Sequence, residues 1–242
     1  MFRMRFPSLW LAIMLAGACS LGTASAAQWH HHHPRLESLE IAPEKVVGGS
    51  AMEVTGTVTL KDAAPTGGVV VTLSSSDTHA ATVPATVTVL AGDKTATFTI
   101  LAMQVNHEMK SRIRAELSEG DGDHDRDDHR KDRREDTLTV LPFKVESFSF
   151  NPSTIKGGTA FTGFQQTIGT ITLSAPAGSS GVVVTMTSSG PGTSLPTTVT
   201  IPAGATSVNF SMVAGTVATT TVYQITATIG SSSVTTSLTV TP

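Results

Sequence analysis

The sequence predicts an all-β protein built as two tandem β-sandwiches of about seven strands each. Three observations carry that expectation. The chain repeats itself over about a hundred residues, its apolar residues alternate with polar ones at period two, and no stretch beyond residue 26 keeps helical periodicity.

The amino-terminal segment comes first and stands apart. Arg3 and Arg5 precede an apolar stretch from Leu9 to about Leu21, and Ala24-Ser25-Ala26 forms a small-residue cleavage site. Residues 1–26 therefore read as a signal peptide, too short and wrongly flanked for a membrane span. The expected product is exported, to a periplasmic, cell-surface or extracellular location. Cys19, the single cysteine, lies inside that segment, with Ala16 where a lipoprotein signal would place Leu. After cleavage no thiol remains, so the product holds together by core packing. Residues 27–35, with His30 to His33, form a His-rich segment.

The first sandwich is expected over residues 36–142 and the second over 143–242. "GTVTLKDAAPTGGVVVTLSSS" from Gly56 matches "GTITLSAPAGSSGVVVTMTSS" from Gly169, and "VPATVTVLAGDKTATFTI" from Val83 matches "LPTTVTIPAGATSVNFSM" from Leu195. Both copies close on "LTV", at Leu138 and Leu238. Along the first copy Met52, Val54, Val58 and Leu60 alternate with polar residues. Val87 with Val89, Phe98 with Ile100, and Ile113, Ala115 and Leu117 do likewise. In the second, Phe148 with Phe150, Ile171 with Leu173, Val182 to Met186, and Tyr223, Ile225, Ala227 and Ile229 repeat the pattern. Period two, β-branched enrichment and Gly/Pro/Ser punctuation describe half-buried strands.

The run "GGVVVTLSSSDTHAATVPATVTVLAGDKTATFTI", closing on "LTVLP", resembles the tandem bacterial immunoglobulin-like repeats of secreted and cell-surface proteins. The resemblance covers nearly all of the chain beyond the signal peptide, twice. It implies immunoglobulin-like sandwiches serving as spacers, adhesive modules or appendages to enzymes. Neither copy carries the Cys-Trp-Cys core of antibody domains, so antibody-like recognition is not implied.

One stretch breaks the composition. From Glu119 to Asp136 there are nine acidic and five basic side chains, whereas the second copy carries only Lys144, Glu146 and Lys156. The second copy joins its last two strands through a short turn where the first inserts residues 119–136. In a seven-strand sandwich that hairpin tip lies at the pole where the first strand begins, which places the insertion beside the His tract. Asp121, Asp123 and Asp125 alternate as in calcium loops, followed by Asp127, His129 and Asp132. Arg126 stands where an EF-hand loop needs Gly and Asp132 where it needs Glu. Imidazoles of His30, His31, His32, His33, His124 and His129 could serve Zn, Ni or Cu ions, although no spacing fixes a geometry. No cofactor is required by these residues; a divalent metal (Zn, Ni, Cu or Ca) is the one they admit. A solvated, zwitterionic loop is the plainer expectation.

Catalysis has little to draw on. There is no G-x-S-x-G turn, and His79 and His107 read as isolated surface residues in loops. The formal net charge of −3 gives no reason to expect nucleic acid, and no apolar run after the signal peptide is long enough to act as a transmembrane anchor. The expected function is a non-catalytic structural or adhesive module of the cell surface, its partner a surface polysaccharide, cell-wall component or protein. The alternative is an exported metal-binding protein using His30–His33 with Asp121–Asp132; an accessory module of an enzyme is a third reading. The near absence of charge along the strands of the second copy also raises self-association through it.

Overall fold

The computed structural model describes residues 34–117, 132–158 and 165–242. These residues contain strands and turns and no helix. The segment read from sequence as a signal peptide, the His tract and most of the charged insertion lie outside them.

In the first copy β1 (Leu36–Ala42), β3 (Val54–Leu60), β7 (Thr95–Ala102) and β5 (Ala81–Thr82) form one sheet, in the order β1-β3-β7-β5. The facing sheet has the order β2-β9-β8-β4-β6, from β2 (Lys45–Val47), β9 (Arg133–Leu141), β8 (Met109–Leu117), β4 (Val69–Ser75) and β6 (Thr86–Val89). The second copy repeats this plan. Its first sheet is β10-β12-β15, from β10 (Val145–Asn151), β12 (Gln166–Leu173) and β15 (Ser207–Val213). Its second is β11-β17-β16-β13-β14, from β11 (Thr154–Lys156), β17 (Ser232–Thr241), β16 (Thr221–Ile229), β13 (Val182–Ser188) and β14 (Thr198–Ile201).

The opening strand of each copy divides between the two sheets. β1 runs antiparallel to β3, then the chain crosses at Pro43 and β2 pairs parallel with β9, Val46 opposite Val140. β10 and β11 repeat this, with Ile155 opposite Val240. Such a strand ties both sheets together along one side. The arrangement is immunoglobulin-like, twice in tandem. The strand count exceeds seven because this division adds β2 and β11, three residues each and too short to show periodicity, and the first copy also gains the two-residue β5.

Alternation decides the interior. Val54, Val58 and Leu60 on β3 face Val71 and Leu73 on β4, all of them buried, while Thr, Ser and the exposed Val70 take the outward positions. The second core is built the same way around Ile171, Leu173, Val184, Ile225 and Leu238. Met52 departs from its expected place: β3 begins at Val54, and Met52 is an exposed residue of the preceding turn.

Two glycines are dictated by packing. Gly56 pairs with Phe98, whose ring lies where a Cβ would be, 2.2 Å away, and Gly169 holds the ring of Phe210 at 2.4 Å in the same way. A side chain at either position would displace a ring that closes the core.

Only Pro142, Phe143 and Lys144 connect β9 to β10. Backbone contacts join the two sandwiches there. Ser50 forms an antiparallel bridge with Ala177, the N–H of Ala51 donates to the carbonyl of Pro176 at 3.1 Å, and Ser231 Oγ donates to the carbonyl of Asn106 at 3.1 Å. An added Cβ on Gly178 would lie 2.2 Å from the carbonyl oxygen of Gly49, so this approach requires glycine.

Candidate functional site

The β8–β9 hairpin of the first copy carries the polar chemistry that sets it apart from the second. Strand pairing places Arg114 opposite Glu135 and Glu116 opposite Arg133. Because side chains alternate across a strand, β9 presents two different rows.

The row Asp132, Arg134 and Asp136 turns towards β1. Asp132 Oδ2 accepts from the backbone N–H of Leu36, and Asp136 Oδ2 accepts from the N–H of Ile41 at 2.8 Å. Arg134 Nε donates to the carbonyl of Glu37 at 2.9 Å. β1 is an edge strand, and these side chains supply partners for backbone groups that its sheet leaves unpaired. In the second copy Ser232 stands in the place of Asp132, and its Oγ accepts from the N–H of Val145, the counterpart of Leu36, at 3.2 Å. The same duty is met there without charge.

Asp132 was a candidate metal ligand by sequence. Here Oδ2 binds the Leu36 N–H and Oδ1 receives Arg134 Nη1 at 3.3 Å, so both oxygens are engaged. The other candidates (His30, His31, His32, His33, Asp121, Asp123, His124, Asp125, Asp127 and His129) lie outside the described residues. What the described residues do show is the roots of those two segments. The chain reaches β1 at Pro34 and leaves β8 at Leu117, and Asp132 ties both, since its carbonyl also accepts from the N–H of Leu117 at 3.1 Å.

The second row faces outward. Lys110, Arg112, Arg114 and Glu116 on β8 stand beside Arg133 and Glu135 on β9. Arg114 Nε donates to Glu135 Oε1 at 2.8 Å, while Arg112 and Arg133 approach the same carboxylate at 3.6 and 3.8 Å. The hydrogen bond from Arg114, reinforced by the charges of the three guanidiniums, holds the Glu135 carboxyl below its ordinary range. Three guanidiniums therefore share two carboxylates, and Lys110 adds a fourth cation to the same row. Side-chain exposures of 62%, 38% and 56% for Arg112, Arg114 and Arg133 leave the guanidiniums open to a partner.

The second copy shows that the fold does not need this ladder. Gln224, Thr226, Ser233 and Thr235 occupy the places of Arg112, Arg114, Arg133 and Glu135, and the Arg114–Glu135 pair is replaced by a Thr226–Thr235 hydroxyl bond of 2.7 Å. Sequence reasoning singled out the acidic insertion and passed over β8. The signal was present in "KSRIRAE", where cations recur at Lys110, Arg112 and Arg114.

No family model matches the sequence, and no curated protein matches it. Several solved structures are similar to the chain. The D0–D1 domain of intimin aligns at 11% identity and a TM-score of 0.34, covering 87% of this chain and 100% of that one. The Salmonella enterica SafA pilin in complex with the SafB chaperone aligns at 12% identity and 0.34, covering 86% and 98%. The Escherichia coli chaperone DraB aligns at 14% identity and 0.32, covering 84% and 95%.

Proposed function

We propose that the protein is an exported, non-catalytic binding module of the bacterial immunoglobulin-like repeat type, and that it holds an anionic surface polymer on the outward face of β8 and β9. One observation carries the reading. Charged residues occupy that face in the first sandwich, whereas Ser, Thr, Gln and the exposed Val222 serve the same strands in the second, so the charges answer to something other than folding. Planar guanidiniums at alternate strand positions suit carboxylate or phosphate groups, which accept two parallel hydrogen bonds from each. The spacing between alternate residues is roughly 6.8 Å, suited to a polymer that repeats its charge.

Ser and Thr hydroxyls of the described residues bond to backbone carbonyls and N–H groups, to one another or to Asn209. No helix among them is long and apolar enough to cross a membrane.

Retention on an immobilised uronate-rich polysaccharide tests this. The intact protein should be retained at low salt and released as ionic strength rises. The Arg112→Gln/Arg133→Gln variant should lose retention, while Lys144→Gln/Lys156→Gln in the second sandwich should keep it. Equal retention of all three proteins would refute the assignment.

A further inference from the structure

The first sheet ends differently in the two sandwiches. In the first copy β7 carries β5 on its free side, with Thr82 opposite Leu101 and Ala81 opposite Ala102. In the second copy no strand takes that place among the described residues, and β15 ends the sheet. The loop at Ser194 covers only its last residue. Val213 gives its N–H to Ser194 Oγ at 2.9 Å, and its carbonyl receives the Ser194 N–H at 2.9 Å.

That contact fixes the direction of the whole strand. Backbone groups of alternate residues point the same way, and β15 pairs with β12 without a register shift from Ser207 to Val213. At the other end the carbonyl of Thr206 accepts from the N–H of Leu173, on the β12 side. Ser207, Asn209 and Ser211 therefore aim their N–H and C=O groups away from the sheet, as Val213 does. Among the described residues these groups have no partner.

A row of open backbone groups on a sheet edge is met by another extended strand. The chemistry of this edge says which strand. β15 carries no charged residue, and Gln166, Ala205 and Thr206 lie at its ends. In the first copy those places hold Glu53, Asp93 and Lys94, charges of the kind that keep edge strands from pairing. The inner row differs too. Phe98 on β7 is buried, whereas its counterpart Phe210 and the neighbouring Val208 are only half-buried.

The edge is also its own complement. With Asn209 set antiparallel to Asn209 of a second copy, Ser207 falls opposite Ser211 and Ser211 opposite Ser207, so every outward N–H meets an outward carbonyl. The same register puts Phe210 opposite Val208 of the second copy, twice, and covers the apolar surface each leaves open. On the outer face Thr170 Oγ1 holds Asn209 Oδ1 at 2.8 Å, which leaves the carboxamide N–H groups to bond across the axis. We propose that two copies of the chain associate through β15, antiparallel about a two-fold axis at Asn209, and join their first sheets into one continuous sheet. The contact lies in the second sandwich and does not depend on anion binding by β8 and β9.

The test uses the full chain, kept reduced so that Cys19 cannot link two copies. Sedimentation equilibrium over a range of loading concentrations should report a monomer–dimer equilibrium little changed by salt. Amide exchange at Ser207, Asn209 and Ser211 should slow as concentration rises, while Thr95, Thr97 and Thr99 on β7 stay as they are. Asn209→Lys sets like charges across the axis and should raise the dissociation constant by about tenfold or more. Continued protection of the Val208 and Phe210 amides, which face β12, shows that this variant keeps its fold. Thr97→Lys, at the same place on β7, should leave association unchanged. A chain that stays monomeric up to about 1 mM overturns the proposal, as does a dimer that Asn209→Lys leaves intact. Salt releases the polysaccharide and spares the dimer, so failure of one reading leaves the other standing.

Discussion

The backbone N–H of Leu36 donates to the carboxylate of Asp132, joining the first residue of β1 to the residue that leads into β9. Leu36 is fully buried, so the bond orders the start of an edge strand whose side chain is already committed to the core. Asp132→Ala removes the acceptor and should destabilise the first sandwich by about 1–3 kcal/mol. Asp132→Ser, which copies Ser232, should recover most of that loss. Urea denaturation of the three proteins measures the difference.

Glu135 predicts a pH dependence. Its carboxyl is held below the ordinary range, first by the Arg114 hydrogen bond and then by the surrounding guanidinium charges. A depressed folded-state value means that the ladder contributes stability above the unfolded carboxylate value and loses it as pH falls through the folded one. The difference in unfolding midpoint between the protein and Glu135→Gln should therefore be constant near neutrality and disappear in acid below the ordinary glutamate range. Because the pair is solvent-exposed, the difference should be small throughout.

The Gly56–Phe98 and Gly169–Phe210 pairs behave as matched sets. Gly56→Ala places a methyl inside the ring position and should cost about 1–3 kcal/mol. Combining it with Phe98→Leu should be less than additive, since the smaller side chain gives back part of the space. Thermal denaturation of the two single variants and the double variant gives the coupling.

Gly178→Ala should act on the junction and not on either core. A Cβ there would meet the Gly49 carbonyl at 2.2 Å. The bridge between Ser50 and Ala177 should open, seen as faster amide exchange at Ala51, while protection of β3 and β12 remains as before.

Much of the fold is legible in the sequence, and the reasons are local. Period-two alternation marks β3, β8, β12 and β16 because each strand buries one face. The copies expose each other's turns because they share Gly and Pro positions. β2 and β11 escape notice since three residues carry no period. The site is less legible. "DGDHDRDD" draws attention by composition, yet the ladder depends on β8 as much as on β9. The paired cations of Arg112 and Arg114 gain meaning only when Glu135 and Arg133 stand opposite.

The sequence by itself determines two all-β units, their duplication and the single charged interruption, because hydrophobic period and turn chemistry act between near neighbours. Only the tertiary structure decides that Asp132 serves the backbone of Leu36, and that Arg134 and Asp136 serve the backbone of Glu37 and Ile41. Those relationships depend on sheet order, which brings residues distant in the chain to one place, and no local pattern encodes where they meet.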